Sequence, residues 1–226
     1  MKVVVFGGCG FLGSWLVKKL LDNNFKPIIF DKEINKNLLK KIIDFTGKEI
    51  DFIRGDITDY NQVFAASQRG EILINLAGLM TPDCSQNPVA GNAVNVVGSI
   101  NVFEAGKNQN NKFVIYTSSG GVFGRNNPET PFPETHYGAF KLAVEGIARA
   151  MFLENKFSSF GLRPFVIYGP GREIGGTAGL SLACKASARN EDYTIPFSGK
   201  AGFVFVDDVT EIIFRLIKQH PKGANV

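Results

Sequence analysis

Short apolar, β-branched runs recur along the chain at intervals that leave room for a helix between them: Val3 to Phe6, Pro27 to Phe30, Asp51 to Arg54, Ile72 to Leu76, Phe113 to Tyr116 and Phe160 to Ile167. The intervening segments carry a different period. Leu12, Trp15, Leu16, Val17, Leu20 and Leu21 fall at helical spacing, as do Val94, Val97, Val102 and Phe103, and then Phe140, Val144, Ile147, Ala148 and Met151. Strand and helix in alternation predict an α/β fold, a doubly wound parallel sheet with helices on both faces. After Gly169 the alternation breaks at Pro170-Gly171-Arg172 and Gly175-Gly176-Thr177. It resumes with a helix near Leu180 to Arg189, a strand at Phe203 to Val206 and a helix from Val209 to Lys218. The pattern therefore divides into residues 1–168 and a shorter part, 169–226, that returns to the first.

Composition narrows the chemistry. The 226 residues are 44% hydrophobic and 20% charged, enough apolar material for a substantial buried core. No apolar run approaches the length of a membrane span and nothing resembles a targeting signal. Cys9, Cys84 and Cys184 are widely separated, odd in number and free of CxxC spacing, which predicts neither disulfides nor zinc and fits a reducing cytoplasm. With His136 and His220 as the only histidines, His-based metal sites and Ser-His-Asp triads lack raw material, and no metal is expected. The net charge of +4 is scattered, and the cluster Lys36 to Lys41 reads as a solvated helix face and not as a nucleic-acid site.

The stretch Gly7-Gly8-Cys9-Gly10-Phe11-Leu12-Gly13 lies between the first strand and the first helix, where a phosphate-binding turn belongs. Such a turn needs φ values that glycine reaches cheaply, and it lets backbone N–H groups, here those of Phe11 and Leu12, point at a pyrophosphate from a helix N-terminus. The glycines parse either as G-x-G-x-x-G from Gly8 or as G-x-x-G-x-x-G from Gly7. Asp31, at the end of the second strand, is placed to accept hydrogen bonds from both hydroxyls of an adenosine ribose, which favours NAD over NADP. Its neighbour Lys32 weakens that preference slightly.

Tyr137 and Lys141, in HYGAFK, are four apart on a predicted helix and share a face. A phenol is a poor acid or base at neutral pH, and a cation held beside it stabilises the phenolate. The hydroxyls of Thr117, Ser118 and Ser119 stand just beyond a predicted strand, on the edge where open α/β sheets bind ligands.

GGCGFLG, Asp31, RGDI at Arg54, NLAG at Asn75, NVVGS at Asn95, TSSGGVFG, HYGAFK, LRPFVIYGPGR and FVFVDDV occur in that order. Together they resemble the extended short-chain dehydrogenases, the NAD-dependent epimerase/dehydratase family, from Lys2 to the last residue. The resemblance favours the Gly7, Gly10, Gly13 parsing and implies a Rossmann domain over 1–168, with 169–226 as the start of a substrate-binding lobe. It implies that Ser119 hydrogen-bonds the reacting oxygen, with Ser118 as second candidate. Tyr137 would move the proton, while Lys141 lowers the Tyr137 pKa and grips the nicotinamide ribose. Asp56 and Ile57 would contact adenine; Leu76, Ala77 and Gly78 would line the pyrophosphate and ribose path; Asn95 would sit near the cofactor, and Phe165 and Val166 would face the nicotinamide. Asp207 and Asp208 are expected to cap and charge the following helix.

The implied reaction is oxidation of a secondary alcohol on a sugar or sugar-like substrate, by a homodimer packed through the helices carrying Asn95 and Tyr137. Two departures qualify it. Nucleotide-sugar epimerases of the family commonly carry Asn where this chain has Val166, which favours a dehydrogenase; an epimerase is the first alternative and a non-catalytic NAD-binding protein the second. Family members also usually continue past the final GANV, which implies a fragment or an unusually small substrate lobe.

Overall fold

The computed structural model describes residues 1–44, 50–124, 127–196, 198 and 200–226. Its first half alternates β1 (Lys2–Phe6), α1 (Phe11–Asp22), β2 (Lys26–Asp31), α2 (Asn37–Ile42), β3 (Asp51–Arg54), α3 (Tyr60–Ser67) and β4 (Ile72–Asn75). Next, α4 (Thr81–Gln86) and α5 (Pro88–Asn92) lead through a π-helical turn, Ala93–Val97, into α6 (Gly98–Asn108) and β5 (Phe113–Thr117). A 3₁₀ turn at Gly120–Val122 and the hairpin β6 (Phe123–Gly124) and β7 (Asn127–Pro131) precede the long α7 (His136–Asn155). The chain ends with β8 (Ser159–Leu162), β9 (Val166–Tyr168), α8 (Gly179–Arg189), β10 (Phe203–Phe205), α9 (Val206–Gln219) and β11 (Ala224–Asn225).

Seven strands form one parallel sheet in the order β11-β8-β5-β4-β1-β2-β3. This is the expected doubly wound architecture. Strand β1 shows why it forms: Val4 and Phe6 enter a core shared with Val63, Phe103 and Val144, while Val3 and Val5 enter the opposite core with Leu16, Leu20, Ile213 and Ile217. A strand with both faces covered needs an uninterrupted apolar run, and Val3 to Phe6 supplies one. The returning α9 completes the second layer. Its apolar stripe lies on α1, and Lys19 of α1 pairs with Asp207 at 3.0 Å and Glu211 at 3.4 Å.

The strand order reverses between β1 and β4, so the connections leaving these two strands run to opposite sides and open a crevice at their C-terminal ends. Leu76 N donates to Phe6 O at 2.9 Å, which holds the two ends side by side. The turn after β9 closes over the same region, because the indole N–H of Trp15 on α1 donates to Pro170 O at 3.0 Å.

Two expectations need correction. The run Phe160 to Ile167 is not one strand, since Pro164 lacks a backbone N–H and its carbonyl accepts from Gly120 N at 2.9 Å. The chain leaves the main sheet there, and β9 pairs instead with β10 in a separate two-stranded sheet. Asp207 and Asp208 lie in the first turn of α9 but neither caps it; the cap position is Phe205, without a side-chain hydrogen bond. Asp207 is drawn away by Lys19 and by Thr210, whose Oγ1 donates to its carbonyl and carboxylate.

Among the described residues no helix is long and apolar enough to cross a membrane, and no His, Cys, Asp and Glu cluster is fit to hold a metal.

One buried ion pair ties the layers together. Glu145 on α7 accepts two hydrogen bonds from Arg163, at 2.8 and 2.6 Å, and one from the Ser118 hydroxyl beyond β5. Its side chain is 4% exposed. Removing the arginine would leave the Glu145 carboxylate buried without its counter-charge, so Arg163→Ala is expected to lose about 3–5 kcal/mol of stability in denaturant titration, more than Glu145→Ala, which leaves the part-exposed Arg163 to water.

Candidate active site

The glycine turn settles the two parsings. Gly7 adopts φ +79°, in the left-handed region, whereas Gly8 does not. A Cβ on Gly13 would lie 2.3 Å from Gly7 O, so α1 approaches the turn more closely than any side chain permits. Helix α1 then starts at Phe11 with Gly10 at its cap, no side-chain cap and no acidic residue in its first turn. Its leading N–H groups therefore face the crevice unopposed by carboxylates, which suits a pyrophosphate. Asp31 lies beneath the same turn, with Cys9 N donating to its Oδ2 at 3.0 Å. Burial and the Asp31 charge push the Cys9 thiol up to about 11, so that cysteine stays protonated at neutral pH. These residues fit NAD: a glycine cradle for the diphosphate, and a carboxylate at the end of β2 for the adenosine ribose.

On the opposite wall, Thr135 caps α7 through Gly138 N at 3.0 Å, and Tyr137 and Lys141 follow on one face. A Cβ on Gly138 would meet Gly121 O at 2.1 Å, so this glycine lets α7 press against the 3₁₀ turn. That contact brings Tyr137 to Ser119. A Cβ on Gly121 would lie 3.3 Å from Ser119 Oγ and 3.8 Å from the Tyr137 ring, and Ser119 Oγ accepts from Gly121 N at 3.0 Å. Ser118 faces away toward Glu145, which leaves Ser119 as the serine beside the phenol.

Lys141 Nζ donates to Thr117 O at 2.8 Å and sits 5.6 Å from the centre of the Tyr137 ring. Its side chain is buried, and desolvation pulls the ammonium from the usual 10.5 down to about 8. The expectation that Lys141 lowers the Tyr137 pKa is not what dominates here. Burial pushes the phenol above its ordinary value; the Ser119 hydroxyl opposes that rise, and so does the charge of Arg172.

A cavity of about 390 Å³ joins the two walls. Gly7, Gly10, Phe11, Leu12, Gly13, Leu76, Gly78, Ser119, Tyr137, Lys141, Phe165 and Val166 all line it. Asp31, Lys32, Asp56, Ile57, Ala77 and Asn95 do not. Lys32 and Asp56 pair at 3.1 Å beyond the end of β2, and Asp56 is held below the usual carboxylate range mainly by the Thr58 N–H and hydroxyl. Ile57 is buried, its carbonyl accepting from Asn101 at 2.9 Å. Ala77 backs the glycine turn, where a Cβ on Gly7 would lie 2.8 Å from Ala77 N.

Asn95 occupies the π-helical turn, donates to Leu79 O at 3.1 Å and to Cys84 Sγ at 3.3 Å, and keeps Oδ1 buried without a partner among the described residues. Met80, Thr81, Arg172 and Thr177 line the cavity too and were not singled out from sequence. The YGPGR motif contains Arg172, but nothing in the motif says where its guanidinium points.

A model of the NAD-dependent epimerase/dehydratase family matches residues 3–226. The chain belongs to that family. Among its relatives, protein CapI of Staphylococcus aureus is 30% identical over 97% of this family member and 70% of CapI. The yeast Saccharomyces cerevisiae sterol-4-alpha-carboxylate 3-dehydrogenase (decarboxylating) is 32% identical over 75% of the chain, which spans about half of that enzyme, 52%. Among solved structures, the UDP-N-acetylglucosamine 4-epimerase of Methanobrevibacter ruminantium aligns with all of the chain and 76% of its own, with a TM-score of 0.85 and 26% identity.

The depressed Lys141 pKa has a consequence for stability. Because the folded state holds this proton less tightly than the unfolded chain, the buried ammonium costs stability below about pH 8, and the cost is relieved as pH rises toward 10.5. Lys141→Met is expected to melt no lower than wild type at pH 7 and to lose that contribution to the pH dependence, checked by thermal melts from pH 7 to 10.

Proposed function

We propose that this family member is an NAD-dependent dehydrogenase that oxidises a secondary alcohol on a sugar or sugar-like substrate. The observation that carries the reading is that Ser119, Tyr137 and Lys141 share one cavity with the Gly7 to Gly13 cradle. When bound, NAD supplies a nicotinamide able to accept a hydride. The chain's own residues do the rest. Ser119 Oγ holds the substrate oxygen, and the Tyr137 hydroxyl, as phenolate, takes the alcohol proton while the carbon gives up its hydride. Lys141 fixes the cofactor ribose and supplies positive charge to that phenolate. Asp31 selects the unphosphorylated ribose, Lys32, Asp56 and Ile57 border adenine, and Leu76, Ala77, Gly78 and Asn95 floor the cofactor path. Phe165 and Val166 bound the nicotinamide.

Val166 supports net dehydrogenation, because a valine at this wall offers no hydrogen bond to a nucleotide phosphate. Epimerisation is the second reading, favoured by the relatives that carry that name, such as the Yersinia pestis UDP-glucose 4-epimerase, 33% identical over 65% of the chain. We assign residues 1–168 to cofactor binding and 169–226 to the start of the substrate side. A reducing, cytoplasmic setting suits the three free thiols.

The test is reduced-nicotinamide absorbance with NAD and a panel of sugars, uronates and nucleotide sugars. Tyr137→Phe is expected to lose about 10²-fold or more in turnover while still binding NAD. Net NADH formation supports the dehydrogenase, and a product isomer without it supports the epimerase.

A homodimer is proposed on the exposed apolar residues Val97 and Ile100 beside α6 and Leu153 on α7. Sedimentation is expected to show a dimer that Ile100→Asp with Leu153→Glu converts to monomer.

A further inference from the structure

Among the described residues the Arg172 guanidinium has no counterion. Arg69, Arg163, Arg189 and Arg215 reach Asp51, Glu145, Glu191 and Glu211; Arg54 and Arg149 have no such pair among the described residues either, but neither lines the cavity. Arg172 reaches none, because the adjacent Glu173 is taken by Lys185 at 2.6 Å. Its polar contact is Nη2 to the Thr177 hydroxyl at 3.2 Å, while Nε is buried with no partner among the described residues. Leaving a desolvated charge this poorly satisfied is unfavourable unless an anion completes it.

The side chain is held where it is. Its turn is closed by Arg172 N donating to Gly169 O at 3.1 Å and pinned by the Trp15 bond to Pro170 O. Gly171 takes φ +92° and lies so close to Leu38 that a Cβ would come within 2.3 Å of its Cδ1. The guanidinium rests 5.7 Å from the Phe11 ring. Of the two cations lining the cavity, Lys141 is anchored on Thr117 O and its remaining donors are assigned above to the cofactor ribose, while the Arg172 fork carries donors with no assigned partner. It is also close enough to Tyr137 for each charge to act on the other. A planar fork of N–H groups matches a carboxylate or a phosphate. The cofactor's pyrophosphate is already suited by the N-terminus of α1, so the unsatisfied donors that share the cavity with the phenol belong to the substrate.

We propose that Arg172 binds a carboxylate carried by the substrate close to the alcohol that faces Tyr137, so that the site takes hydroxy acids, uronates included, ahead of neutral sugars. This rests on the dehydrogenase reading above and names its substrate class.

Calorimetric titration tests it with the whole chain: first NAD, then malonate, malonamide, glucuronate and glucose on the NAD-saturated protein. Malonate and glucuronate are expected to bind at least about tenfold more tightly than their neutral counterparts. Arg172→Gln should abolish that preference and Arg172→Lys keep part of it, with NAD affinity changed by less than about threefold in either variant. Equal binding of charged and neutral probes, or none of the charged ones, overturns the proposal and leaves the dehydrogenase reading standing. Loss of NAD affinity in Arg172→Gln with the preference intact also overturns it, assigning the guanidinium to the cofactor's pyrophosphate. Failure of wild type to bind NAD removes both.

Discussion

The site depends on how closely α1 approaches the end of β1. With a Cβ at Gly13 only 2.3 Å from Gly7 O, any other residue would push the helix outward and take its leading N–H groups away from the crevice. The same approach carries Trp15 to Pro170, and with it the turn that bears Arg172. A second close contact, Gly138 against Gly121, does for the catalytic wall what Gly13 does for the cofactor wall. Two helices set down on two turns, each through a missing side chain, thus define a cavity whose opposite faces address different chemistries.

Much of this was legible in the order of residues. The buried strands and their flanking helices declare themselves by period because both faces of the sheet are covered, and the Tyr137 and Lys141 pair is visible because four residues make a shared helical face. The cofactor turn is legible because glycine at Gly7 and Gly13 answers a backbone demand that no other residue meets. What sequence could not resolve involves contacts between distant segments. The break at Pro164 separates two strands that read as one, since Leu162 and Val166 are equally apolar and only the Gly120 bond to the Pro164 carbonyl shows that the chain has left the sheet. Asp207 and Asp208 look like helix caps until Lys19 of α1 is seen to draw Asp207 elsewhere. Arg172 is in plain view in its motif, but only the fold shows that no carboxylate among the described residues meets it.

The electrostatics of the cavity follow from burial more than from pairing. Desolvation raises the phenol and lowers the ammonium, so burial weakens the ionised form of both Tyr137 and Lys141, although Lys141, at about 8, stays charged at neutral pH. The positive charge acting on the phenol from Arg172 opposes this, and Lys141, though near the ring, is anchored on a backbone carbonyl. Proton transfer in such a site is governed by which charges enter with the ligands, since burial alone holds the phenol away from its ionised state.

The indole of Trp15 links α1 to the turn after β9, and it belongs to the sole tryptophan in the chain. The molecule therefore carries a built-in optical probe at the seam between α1 and the turn after β9. Any rearrangement of the Pro170 turn that breaks the N–H bond changes the polarity around a single fluorophore, so the emission of the unlabelled protein reports on motion at that one joint.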